Sequence, residues 1–164
     1  MKAADNSVGL FLKHKNMACT ITAPTLNVCN DLQGGVKILS LAPWEEAFDP
    51  VTATWTSIPL HVNSASVKET PSVNSANSTA YYTHEVSFKV NGISNFAGFG
   101  DLAKARICAK AELYDGTTVI VVGIEKGLSF SGGERGTGMN MEDAIGSTMT
   151  FSGVSSVSWV ENPV

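Results

Sequence analysis

The stretch Ala105-Arg106-Ile107-Cys108-Ala109-Lys110-Ala111-Glu112-Leu113-Tyr114-Asp115-Gly116 decides the fold class. Ile107, Ala109, Ala111 and Leu113 alternate with Arg106, Lys110, Glu112 and Tyr114, so one face is small and apolar and the other polar. That period of two marks a half-buried strand. Asp115-Gly116 tolerates the positive φ of a tight two-residue hairpin turn. The chain then returns through Thr117-Thr118-Val119-Ile120-Val121-Val122-Gly123-Ile124, apolar on both faces, which reads as a covered return strand.

Working outward, Leu128 and Phe130 lead into Gly132-Gly133-Glu134-Arg135-Gly136-Thr137-Gly138, read as a flexible turn. A last pair of short strands is expected at Ser147–Phe151 and Ser156–Val160, with Gly153 between them. Upstream, Ser94–Lys104 is the best helix: Phe96, Phe99, Leu102 and Ala103 fall at helical spacing behind a Ser94 cap, although Gly98 and Gly100 weaken it. Tyr82, His84, Val86, Phe88 and Val90 alternate with Thr83, Glu85, Ser87 and Lys89, the clearest single strand in the chain.

Before that strand, residues 64–78 are serine, asparagine, alanine and threonine, with Val67 and Val73 as the apolar handles. They read as a long exposed loop. Strands are expected at Met17–Ala23 and Val36–Ala42, a single helical turn at Trp44–Phe48, and an extended stretch at Val51–Leu60. Residues 1–16 form an N-terminal arm, a short helix or a docking segment. Residues 17–164 form one domain, mainly β: an antiparallel sandwich or barrel with one short flanking helix.

With 164 residues, 43% hydrophobic and 16% charged, the chain can bury a core without metal or disulfide help. A formal charge of −4 argues against a surface built to hold nucleic-acid phosphates. Three cysteines without a CxxC spacing fit reduced thiols rather than a disulfide framework. The first residues lack the apolar core of a signal peptide, and Val8–Leu12 is too short to span a bilayer. A soluble protein with no membrane partner is therefore expected.

No constellation of reactive residues stands out. The glycine-rich segment lacks the Lys-Ser or Lys-Thr of a phosphate loop. His14, Cys19 and Cys29 make no close pair of metal ligands. Glu45-Glu46 and Glu142-Asp143 are neighbours whose side chains diverge on a strand. His84, on the apolar face of its strand, is expected to be a satisfied core or interface histidine. A catalytic role is the poorer reading, and no cofactor motif is present.

Two stretches carry a resemblance. Cys29-Asn30-Asp31-Leu32-Gln33-Gly34-Gly35-Val36-Lys37-Ile38-Leu39-Ser40-Leu41-Ala42 resembles an N-terminal pattern of tail proteins in Bacteroidetes phages and prophages. From Thr83 to Val160, a strand, a short helix and an Asp-Gly hairpin precede Gly127-Leu128-Ser129-Phe130-Ser131-Gly132-Gly133 and Gly146-Ser147-Thr148-Met149-Thr150-Phe151-Ser152-Gly153. This order is similar to the end of phage tail-tube-like subunits, with Ser147 standing where a bulkier residue is expected.

The resemblance implies a virion structural protein, made in the bacterial host cytoplasm and located in the phage tail. It would self-associate into rings, hexameric in the resembling family, that stack as a tube and pass genomic DNA without specific binding. Other tail proteins would be its partners. A head–tail connector or tail-terminator ring is the alternative, and a monomeric carbohydrate-binding sandwich using Trp44, Trp55 and Trp159 is a third reading. Within the tail-tube reading, Tyr81–Val90 and Ala105–Tyr114 share one sheet. Its polar residues Thr83, Glu85, Ser87, Lys89, Arg106, Lys110 and Glu112 then face the lumen. The loop at 64–78, with Val67, Lys68, Glu69 and Val73, would reach a neighbouring ring.

Overall fold

The structure is a computed structural model that describes residues 35–76, 79–91, 98–136 and 146–163. The expected arm at 1–16, the strand at 17–23 and residues 94–97 of the helix lie outside the described residues.

The described residues are mainly β, with two antiparallel sheets, one short helix and no closed barrel among them. The strands are β1 (Val36–Pro43), β2 (Thr56–Ser57), β3 (Ser66–Asn74), β4 (Thr79–Asn91), β5 (Ile107–Leu113), β6 (Val119–Val122), β7 (Ser129–Gly136), β8 (Gly146–Ser155) and β9 (Val160–Glu161); the helix α1 is Phe99–Lys104. One sheet has the order β2-β1-β5-β6-β9 and the other β3-β4-β8-β7. Isolated bridges pair Leu60 with Val90 of β4 and Leu128 with Ile107 of β5. The resulting arrangement is sandwich-like, with a core where the alternating inward faces meet.

Alternation fixes which face goes inward. Val86, Phe88 and Val90 on β4, Met149 and Phe151 on β8, Leu39 and Leu41 on β1, and Ala109 and Ala111 on β5 are all buried in one cluster. Phe88 and Phe151 stack at 6.2 Å across the β4–β8 ladder, and Phe130 meets Phe151 edge-on at 5.6 Å. Burying side chains of this size is worth about 1.5–3 kcal/mol each. β6 is covered as its composition requires, with Ile120, Val121 and Val122 buried.

Four local expectations give way. The β5–β6 turn uses more residues than Asp115-Gly116: Leu113 N–H bonds to Thr118 O, so Tyr114 to Thr117 form the loop. Asp115 Oδ1 accepts the N–H groups of Thr117 (3.0 Å) and Thr118 (2.9 Å), and Gly116 takes φ 74°. Residues 129–136 are not a turn but the strand β7, because their amide groups ladder onto β8 from Ser129↔Ser152 to Gly136↔Gly146. The expected C-terminal strand pair is instead one ten-residue strand, β8, followed by β9 in the other sheet. Trp44–Phe48 makes a turn with Ala47 at φ 63° rather than a helical turn, since Trp44 N–H is held by Arg106 O. The described helix begins at Phe99 behind Gly98 and packs Leu102 on the core.

Candidate functional site

The largest correction concerns residues 64–78. Ser66–Asn74 is not a loop but β3, paired rung for rung with β4 from Ser66↔Ser87 to Asn74↔Thr79. Its composition offers little to bury, but the ladder supplies its energy and Val67 packs against the core. Glu69 adds the anchor. It accepts His84 Nε2 (2.8 Å), Trp159 N–H (2.7 Å) and the Ser158 hydroxyl (2.9 and 3.0 Å). Burial works to raise the Glu69 carboxyl, yet the Trp159, His84 and Ser158 hydrogen bonds outweigh it and hold the group below its ordinary value. His84 is buried and its Nε2 is paired with Glu69, but among the described residues its Nδ1 has no hydrogen-bond partner, so it is a core histidine that is only half satisfied.

The hydroxyl of Ser158 points its hydrogen bond at Glu69, so it is not wired to the imidazole as a nucleophile would be. Cys108 is buried, its thiol pushed up to about 12 by desolvation. Among the described residues no group of His, Cys, Asp or Glu could hold a metal ion. No helix of the described residues is long and apolar enough to cross a membrane.

The residues expected to share a lumen do not share a sheet. β4 lies in the four-stranded sheet, between β3 and β8, and β5 in the five-stranded one, between β1 and β6. Thr83, Glu85, Ser87 and Lys89 therefore project from one outer face, and Lys110 and Glu112 from the opposite one. Arg106 precedes β5 and lies 5.8 Å over the Trp44 ring; Lys110 lies 5.5 Å over Trp55 and 3.9 Å from Glu112. These cations are engaged with the β1–β2 connection, which carries both tryptophans. They form no common wall with the β4 residues.

The four-stranded sheet presents the more coherent surface. Register places Ser66, Ser87 and Thr150 in one row, Lys68, Glu85 and Ser152 in the next, and Thr70, Thr83 and Val154 beyond. Lys89, Thr148 and Glu134 form a further row. Thr150 donates to Ser87 at 3.3 Å. This face is a carpet of hydroxyls in which Lys68 and Lys89 balance Glu85 and Glu134. The contribution of β8 and Glu134 was readable only in retrospect, through the alternation of Thr148, Thr150 and Ser152 with Met149 and Phe151.

Among the described residues the edges of the two sheets differ. The five-stranded sheet ends in β2 and β9, two residues each, whereas the four-stranded sheet ends in the nine-residue β3 and the eight-residue β7. Among the described residues β3 pairs on one side only. It also overhangs: its rungs continue through Ser72↔Tyr81, Val73↔Ala80 and Asn74↔Thr79, while β8 stops at Ser155↔Tyr82. Val73 is 72% exposed there. Pro71, which has no N–H, fits a position whose nitrogen faces away from β4. By alternation Val67, Glu69 and Val73 turn their backbone groups to the open edge.

No protein-family model, curated protein or solved structure matches the chain.

Proposed function

We propose that the protein is a self-assembling structural subunit of a phage tail tube, in which the four-stranded sheet is continued from one subunit to the next. The observation that carries this reading is the long, overhanging edge strand β3 beside two blunted edges on the other sheet. An edge of that length is a template for strand addition and is normally shortened or covered. Joining β3 to a different edge of a neighbour is a head-to-tail contact, and such contacts close into rings when the rotation allows.

The outer face of the same sheet would then line the ring. A wall of serine and threonine hydroxyls with balanced charge gives a polyanion neither phosphate contacts nor strong repulsion. Thr83, Glu85, Ser87 and Lys89 keep this role, and Arg106, Lys110 and Glu112 lose it. Val73, at the overhang, is the side chain placed to meet a neighbouring ring. A connector or terminator ring would use the same edge without stacking. The carbohydrate-binding alternative draws no support from the tryptophans: Trp44 and Trp55 hold separate cations and Trp159 packs on the core, so they form no shared platform.

Sedimentation and electron microscopy at rising protein concentration test the reading. Rings or tubes are expected from the parent chain. Val73→Pro removes an outward-facing donor without touching the β4 ladder, so it should keep the fold and lose assembly. A parent that stays monomeric at all concentrations and salts overturns the proposal.

A further inference from the structure

The segment between β8 and β9 is held by two carboxylates from distant parts of the chain. Glu125, in the turn before β7, accepts the Ser155 hydroxyl (2.8 Å), the Ser156 N–H (2.6 Å) and the Ser156 hydroxyl (2.9 Å). Glu69, on β3, accepts the Ser158 hydroxyl and the Trp159 N–H. A further hydrogen bond of this segment is local, Val157 N–H to Ser155 Oγ at 3.0 Å. Beneath the segment is a cavity of about 270 Å³, walled by His84, Val121 and Ile124 on one side and by Val157, Ser158 and Trp159 on the other.

We infer that Ser155–Trp159 is a carboxylate-held strap that closes this end of the sandwich and lets go on acidification while the two sheets stay folded. The inference is independent of the tail-tube reading. Charge-assisted bonds to an ionised carboxylate are roughly twice as strong as neutral ones, and a protonated carboxyl gives up acceptor capacity. The groups facing Glu69 are His84 from β4 and the strap itself; those around Glu125 are Lys126 and the strap serines, with Glu161 on the Trp159 indole.

Burial opposes the lowering of Glu69 but is outweighed by its hydrogen bonds, and the Ser155 and Ser156 bonds hold Glu125 below its ordinary value. A carboxyl lowered in the folded state contributes stability above its unfolded pKa and loses it as pH falls through the folded one. The strap is therefore closed at neutral pH and opens in the acid range. Opening uncovers the cavity and the buried His84. Glu69 also ties β3 to His84 and Asp115 caps the β5–β6 turn, but the inner strands β4, β8, β1 and β5 are held by apolar packing and backbone ladders, so they outlast the strap.

Hydrogen–deuterium exchange on the full chain tests this. Between neutral pH and about pH 3, protection at Val157–Trp159 should fall by roughly tenfold or more while Val86–Phe88 stays protected. Glu69→Gln and Glu125→Gln should each lower strap protection already at neutral pH. If Glu69→Gln fails to fold, Glu125→Gln decides alone, since its side chain sits on an exposed turn. Loss of strap protection only in the same step as the core strands overturns the inference. So does parent-like protection at neutral pH in the folded glutamine variants.

Discussion

Gly127 lies directly against Trp44: a β-carbon at position 127 would stand 2.9 Å from the indole Cγ and 3.0 Å from Trp44 Cβ. The glycine is also at φ +71°, and the Trp44 indole N–H is fixed to Ile124 O at 2.9 Å, so the ring cannot move aside freely. Gly127→Ala therefore combines left-handed strain with overpacking, together about 2–5 kcal/mol. Denaturant unfolding should show the midpoint fall by that amount, with Gly132→Ala as the mild control because nothing lies within 4 Å of its β-carbon.

Phe151 is where the β4, β7 and β8 contributions to the core meet, through its contacts with Phe88 and Phe130. Phe151→Ala removes both ring contacts and leaves a void, and should cost about 3–5 kcal/mol. Phe151→Leu, which keeps most of the volume, should cost less. Equal losses in the two variants would show that ring geometry, rather than volume, dominates.

Asp115 organises the β5–β6 turn through the hydroxyl and N–H of Thr118 and the N–H of Thr117, which together hold its carboxyl below the usual range. Its contribution is present above the unfolded carboxylate pKa and disappears as pH falls through the lowered folded value. Asp115→Ala should melt earlier than the parent at neutral pH, and the two melting curves should converge in strong acid. A gap that persists unchanged to low pH would mean that the carboxylate charge plays no part.

The balanced outer face of the four-stranded sheet can be unbalanced. Glu85→Lys with Glu134→Lys leaves Lys68, Lys89 and two new lysines on one face. The double variant should retain duplex DNA with a log–log salt slope no steeper than roughly −4, while the parent passes it unretained. A filter-binding titration over salt measures this. Parent and variant binding DNA alike would remove the case for a non-adhesive wall.

The strands that announce themselves in the sequence are those whose alternation is driven by burial. β4 puts His84, Val86, Phe88 and Val90 inside, β5 puts Ile107, Ala109 and Ala111 inside, and both are visible as period-two patterns. β3 is silent by the same criterion. Its outer-face rungs are Ser66, Lys68, Thr70 and Ser72 against the polar face of β4, and beside Val67 its inward anchor is a glutamate whose partners lie 15 and 89–90 residues away. For that reason deleting Ala65–Asn77 would remove an edge strand and the Glu69 anchor rather than trim a loop. Sheet membership was equally hidden: β4 and β5 follow one another in the chain but pair with β8 and β1, and no local pattern records a partner that far away.

The order of strands in the two sheets also governs when the molecule can fold. The chain changes sheet after β2, β4, β6 and β8, so each sheet is assembled from hairpins interleaved with those of the other. β4, the longest strand, gains its inner neighbour only once Ser155 has been synthesised, and β6 gains β9 only with Val160 and Glu161. Until then a nascent chain carries Val86 and Phe88 on a hairpin with a second bare edge. Pairings so distant in sequence belong to slow, high-contact-order folding, on the scale of milliseconds to seconds. Synthesis of the C-terminal strands, rather than collapse of the first hairpins, is what releases this polypeptide into its native topology.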